Sequence, residues 1–261
     1  MIIKKIKLDR QPTTLKIVVA TKRKEKIWIK VADTTKPNTF YIKRYSNVKG
    51  KKTFFVNMPI APEVASVIVY NARDKFNEYD KTFKVVGIKK LPLKLSKPLI
   101  KISKRTKAFV RFAEEFSEQA GYLPASKQGD IYRSNNGKFR IDYFDIIRSK
   151  NDNRIIGTPA RISQLTGKIE VSAKAFRKYT IPMRMAILLH EYSHYYVNKV
   201  PSDETEADIN GLKIYFTRGY PKISAYNVFL NVFKTSPSMQ NKNRYDILDN
   251  FIRQYKETEN E

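Results

Sequence analysis

The strongest constraint on this chain is a change of hydrophobic period near residue 95. Before it, apolar and β-branched residues recur in short runs at 2–7, 15–20, 27–32, 39–45, 53–57, 65–70 and 82–88. Turn-like stretches such as Thr34-Thr35-Lys36-Pro37-Asn38 and Asn47-Val48-Lys49-Gly50 separate them. Short strands with turn signals about every 10 residues predict a small antiparallel sandwich or barrel. A proline-containing linker over 91–103 follows, and then the spacing becomes helical. Phe109, Phe112, Ala113, Phe116 and Ala120 share one face of a helix predicted over 104–120. Strand character returns at 138–148 and 158–173, with a hairpin turn at Leu165-Thr166-Gly167-Lys168. From 181 onward the pattern predicts helices over 181–198, 203–217, 222–233 and 243–256, and the acidic tail Glu257–Glu261 is expected to fray. The chain therefore reads as α+β: a basic β-rich domain over 1–95, then a domain over 96–261 that combines a small sheet with C-terminal helices.

Charge and composition narrow the function. The formal net charge is +26, and residues 1–100 alone hold 24 basic and 7 acidic residues, a net +17. Such an excess predicts acidic partners or nucleic acid, and says nothing about fold. The run Lys22-Arg23-Lys24-Glu25-Lys26 lies in this region, as do Tyr41, Tyr45, Phe54 and Phe55. No zinc finger, helix-turn-helix or ribonucleoprotein aromatic motif accompanies them. The expected partner is thus an acidic protein surface or larger assembly, with nucleic acid as the alternative. Cysteine is absent, which excludes a disulfide framework, a cysteine nucleophile and thiolate metal sites. No apolar window is long enough to span a bilayer, and MIIKKIKLDR lacks the apolar core of a signal peptide. A cytoplasmic or virion location without signal-peptide export is expected. Abundant Lys, Asn, Ile and Tyr, whose codons are AT-rich, point to a bacterial or viral genome.

The chain contains two histidines, His190 and His194, in the run His190-Glu191-Tyr192-Ser193-His194. On a helix, residues four apart lie on one face with β-carbons about 6 Å apart. Two imidazoles so placed can grip one zinc ion at about 2.0–2.1 Å each. Glu191 stands beside the first and can take a proton from a water that the metal acidifies. This is the H-E-x-x-H pattern of zinc peptidases. Met183, Met185, Ala186, Ile187, Leu188 and Leu189 precede the motif and predict a buried helix. Thr180 and Pro182 suit its start, and Pro201 marks its end. With no other His and no Cys, a third ligand must be Asp or Glu. Residues 201–210 supply Asp203, Glu204, Glu206 and Asp208, an acidic island in a basic chain, behind Ser202 as the expected N-cap. Glu204 and Asp208 share a helix face, and Glu206 points elsewhere. Gly211 marks a close helix contact.

The pair His190-Glu191-Tyr192-Ser193-His194 and Glu204-Thr205-Glu206-Ala207-Asp208 resembles the gluzincin class of zinc metallopeptidases, and within it the HtpX-like and ImmA/IrrE-like groups. The resemblance implies a zincin-like peptidase domain. It also implies zinc held by His190, His194 and Glu204, Glu191 as general base, and Asp208 as hydrogen-bond partner of a ligand histidine. Nine residues separate His194 from Glu204. If the first helix runs to Val200, Glu204 lies about 9 Å beyond His194 along the axis, at 1.5 Å per residue; Asp208 is then the better-placed ligand. If the helix ends near Tyr196, Glu204 comes level, and Glu204 is the favoured choice. The run Ala160–Val171 is read as either a cleft's edge strand or a structural hairpin. Tyr192, Tyr195, Tyr196, Tyr215 and Tyr220 are read as packing, any one of them as a candidate oxyanion donor. The expected function is zinc-dependent peptide-bond hydrolysis. The alternatives are a non-catalytic structural component of a phage virion or other assembly, and a nucleic-acid-binding regulator that cleaves a repressor.

Overall fold

The computed structural model describes residues 1–73, 80–149, 151–235 and 238–255; the predicted acidic tail lies outside them. The chain divides into two compact units, Met1–Leu95 and a second from Ser96 onward. The architecture is mixed: an antiparallel sheet in the first unit, then a small mixed sheet and C-terminal helices in the second.

The first unit is built from β1 (Ile2–Lys7), β2 (Thr13–Asp33), β3 (Phe40–Met58), β4 (Val64–Asn71) and β5 (Phe83–Pro92). The runs at 15–20 and 27–32 are one strand rather than two, and so are those at 39–45 and 53–57. The basic run Lys22–Lys26 reads as a break, but it is carried across a register shift between Thr21 and Glu25. A bulge inserts residues without ending the ladder, and it increases the local bend. β3 pairs with β2 along both halves; on the opposite edge β5 pairs over 13–21 and β4 over 27–33. Leu15, Ile17, Val19, Ile27, Ile29 and Val31 alternate along one face and are fully buried. The bend folds the two halves over this core, and the Arg44 guanidinium of one half lies 5.7 Å over the Phe54 ring of the other. No strand pair among the described residues closes the sheet into a barrel.

The second unit opens with α1 (Lys104–Gln119), capped by the Ser103 hydroxyl, which accepts from the Thr106 N–H at 3.1 Å. Its apolar face buries Phe109, Phe112, Ala113 and Phe116, as the spacing predicts. A four-stranded sheet follows in the order β6 (Asp130–Arg133), β7 (Arg140–Phe144), β9 (Ile169–Ser172), β8 (Ala160–Ile162). The β7–β9 pair is parallel and the others are antiparallel. After a single helical turn, α2 (Ala173–Phe176), come α3 (Ile181–Tyr196), α4 (Glu204–Thr217), α5 (Lys222–Thr235) and α6 (Met239–Gln254). α3 is the hub: it packs on α1, α4, α5 and β8. Most of its surface is apolar, and its one buried cation, Arg184, donates to the carbonyls of Phe176 at 2.8 Å and Ser117 at 2.7 Å.

The α3–α4 crossing is unusually close. A β-carbon added to Gly211 of α4 would lie 2.9 Å from the His190 nitrogen and 3.0 Å from its α-carbon. Those are backbone atoms and cannot rotate away. Gly211→Ala is therefore expected to push α4 off α3 and destabilise the second unit by about 1–3 kcal/mol, the usual cost of overpacking. A urea titration measures this; an unchanged midpoint would show that the helices part without strain.

Candidate metal centre

α3 ends at Tyr196, short of the predicted 198, and the next seven residues turn the chain back before α4 begins at Glu204. The earlier helix end settles the level of the acids. Glu204 occupies the first turn of α4, opposite His190 and His194. Its Oε2 lies 3.5 Å from His190 Nε2, and its Oε1 lies 3.5 Å from His194 Nε2. The two Nε2 atoms are 3.1 Å apart. These three donors all fall within 4.8 Å of one another.

The opposite sides of both rings are committed. His194 Nδ1 lies 2.7 Å from the Pro201 carbonyl oxygen, which can only accept. The proton therefore sits on Nδ1, and the Nε2 lone pair faces the cluster. His190 Nδ1 lies 2.8 Å from Asp208 Oδ1, a close charge contact without the alignment of a hydrogen bond. Asp208 is fully buried behind His190 and does not join the converging donors. Two Nε2 atoms so oriented, with a carboxylate beside them, need a shared proton or a cation between them. A small divalent metal ion bonded tetrahedrally at about 2.0–2.1 Å keeps its ligands about 3.3 Å apart; the two Nε2 atoms stand at close to that spacing, and each has a different Glu204 oxygen 3.5 Å away. His190, His194 and Glu204 can thus hold a metal ion.

Each member of the acidic island has a separate task. The N-cap of α4 is Asp203 rather than Ser202: its carboxylate accepts from the Glu206 N–H at 2.9 Å. Glu206 accepts from the backbone of Lys199 and Val200, fixing the return loop that presents the Pro201 carbonyl. Glu204 faces the imidazoles and Asp208 backs His190. The sequence gives no sign of Arg244, which enters from α6. Its guanidinium reaches Glu204 Oε2 at 3.0 Å and Asp208 Oδ2 at 2.9 Å, and it lies 5.2 Å over the Phe233 ring. Arg244 locks the two acids in their separate orientations.

Electrostatics follow from burial and these partners. Burial opposes a charged His190, but Asp208 and Glu204 outweigh it and hold its pKa at about 10. Burial and the neighbouring His190 charge lower His194. The His190 contact draws Glu204 down to about 2; burial opposes this, and Arg244 and His194 assist. Burial pushes Glu191 up to about 7, against the pull of His190, with Glu204 adding repulsion and the Ile162 N–H holding the charged form.

These groups stand on the floor of a cleft of about 500 Å³. One wall is β8, the edge of the small sheet. In antiparallel pairing alternate residues turn their backbone groups outward. Pro159 and Ser163 bond to β9, so Ala160 and Ile162 face away from it. Ile187, Val228 and Phe229 make an apolar side, and Gln240, Asn241 and Arg244 make a polar rim. None of the five predicted tyrosines lines the cleft. Tyr192 stacks on Phe109 at 4.2 Å, Tyr215 donates to the Pro221 carbonyl, and Tyr220 donates to Glu114. No family model matches this chain, and no curated protein matches it.

The raised Glu191 pKa carries a linkage prediction. Its folded value, about 7, lies above the ordinary 4.5, so the unfolded chain releases this proton first as pH rises. Glu191 therefore subtracts stability between about pH 4.5 and 7, and the loss persists above. Its full size is on the order of 3 kcal/mol, at 1.36 kcal/mol per unit. With metal chelated, Glu191→Gln should match the wild-type melting temperature near pH 4.5 and exceed it by several degrees near pH 8. A difference independent of pH would refute this origin.

Proposed function

We propose that this protein is a zinc-dependent peptide hydrolase. The convergence of His190 Nε2, His194 Nε2 and Glu204 beside a buried Glu191 carboxyl carries this reading. Two imidazoles and one carboxylate, with no thiolate, are the donor set of catalytic zinc. His190, His194 and Glu204 hold the ion. When bound, zinc supplies Lewis acidity that polarises a peptide carbonyl and acidifies water.

The remaining chemistry belongs to the chain. Glu191 takes a proton from the attacking water and delivers it to the departing amine nitrogen. A carboxyl poised near neutrality can do both, because neither protonation state is far away. The Ile162 N–H keeps the Glu191 carboxylate oriented toward the cleft. The Pro201 carbonyl holds His194 in the tautomer that turns its Nε2 inward, and the Asp208 charge beside His190 Nδ1 favours the ring orientation that turns the other Nε2 the same way. An extended peptide laid along β8 adds a strand to the small sheet, using the outward backbone groups of Ala160 and the Ile162 carbonyl. The apolar side of the cleft at Ile187, Val228 and Phe229 then receives an apolar side chain of the substrate.

The test is incubation of zinc-loaded protein with a mixed peptide library, with cleavage sites read by mass spectrometry. Wild type should cut, and Glu191→Gln should be slower by about 10²- to 10⁴-fold, the range for loss of a general base. Cleavage at equal rates in both would remove Glu191 from the chemistry. No cleavage by wild type would favour a structural role for the centre, as in an assembly component.

A further inference from the structure

A second candidate surface lies on the first unit. Pairing in β1–β4–β2–β3 sets Trp28 opposite both Tyr45 and Tyr70, and Lys30 opposite Lys43 and Ile68. Directly paired residues share a face, and this is the face opposite the core residues Ile27, Ile29 and Val31. The Trp28 ring meets Tyr45 edge-on at 5.2 Å and lies nearly parallel to Tyr70 at 6.2 Å. Lys26 Nζ sits 3.9 Å from the Tyr45 ring centre, and Lys30 Nζ sits 5.2 Å from that of Tyr70. Tyr45 is 52 % exposed, and Lys26 and Lys43 are exposed beside it. Among the described residues, the strand residues of this face include no carboxylate: Glu25 is turned inward, where Asn71 donates to it at 2.9 Å.

We propose that this face binds a single-stranded nucleic acid. The cations match a phosphate chain in a domain whose region carries a net +17. An acidic protein would need only those cations. The exposed Tyr45 ring and the half-buried Trp28 ring, backed by the buried Tyr70, add what unpaired bases use, flat π faces that accept any base. A duplex hides its base faces in its own stack, so the surface prefers one strand. Recognition through phosphates and base faces does not distinguish DNA from RNA.

Trp28 is the sole tryptophan of the chain, so its fluorescence reports this patch alone. The full-length protein is titrated with oligothymidylate and oligouridylate of about 15 nucleotides, a length that fills one such platform. Both should quench Trp28, and labelled strands should show the binding by anisotropy. The matching duplex should bind at least about fivefold more weakly. Tyr45→Ala should weaken single-strand binding by about tenfold, and Tyr45→Phe should retain it. Lys43→Gln should make the slope of log affinity against log salt shallower by about 0.7. Full affinity in Tyr45→Ala would overturn the proposal. So would polyglutamate quenching Trp28 as strongly as an oligonucleotide of equal charge, which would assign the face to an acidic protein.

Discussion

The whole centre depends on the close approach of two helices. α3 carries both imidazoles and Glu191, and α4 carries Glu204 and Asp208. Their donors meet only because the helix axes run nearer than ordinary side chains permit. Gly211 removes the β-carbon that would strike the backbone at His190. A glycine inside a helix costs about 1 kcal/mol against alanine, so its use here reflects a geometric need. The return loop works to the same end. By ending α3 at Tyr196 it brings Glu204 level with the histidines and leaves the Pro201 carbonyl facing His194.

Around that contact the polar groups form one connected set. Arg244 pairs with Glu204 and Asp208, Asp208 backs His190, His190 faces His194, and His194 leans on Pro201. Buried charge is tolerated here because each member has a neighbour of opposite sign or a carbonyl. Glu191 is the exception. Burial, with repulsion from Glu204, outweighs the pull of His190 and of one backbone N–H, and this is what lifts its pKa toward neutrality. A carboxyl held in that state is less stable than it need be, a common cost of groups kept for chemistry.

What could be read from the sequence was local. Helix α3 and its histidine pair follow from a spacing of four within an apolar run, and the acids of α4 stand out against a basic chain. Helix α1 and the turn between β8 and β9 were legible for the same reason. Arg244 was not, because it meets Asp208 across 36 residues and nothing near it marks the encounter. The parallel β7–β9 pair is likewise set by distant segments. In the first unit the basic run Lys22–Lys26 looked like a break between two strands. The ladder crosses it because a bulge lets exposed lysines sit in an unbroken strand. Tyrosines near the motif were ambiguous in sequence, since packing and oxyanion roles use the same residue type; stacking in the core decides three of them.

The most direct test of the centre is metal content by mass spectrometry after reconstitution with zinc. The account predicts one ion per chain in wild type and none in His190→Ala or Glu204→Ala. Asp208→Asn should keep the one-to-one stoichiometry with affinity lowered by about 10- to 100-fold, as expected for a residue that orients a ligand without touching the metal. A full complement of zinc in Glu204→Ala, or none in the wild type, would contradict the three-donor site.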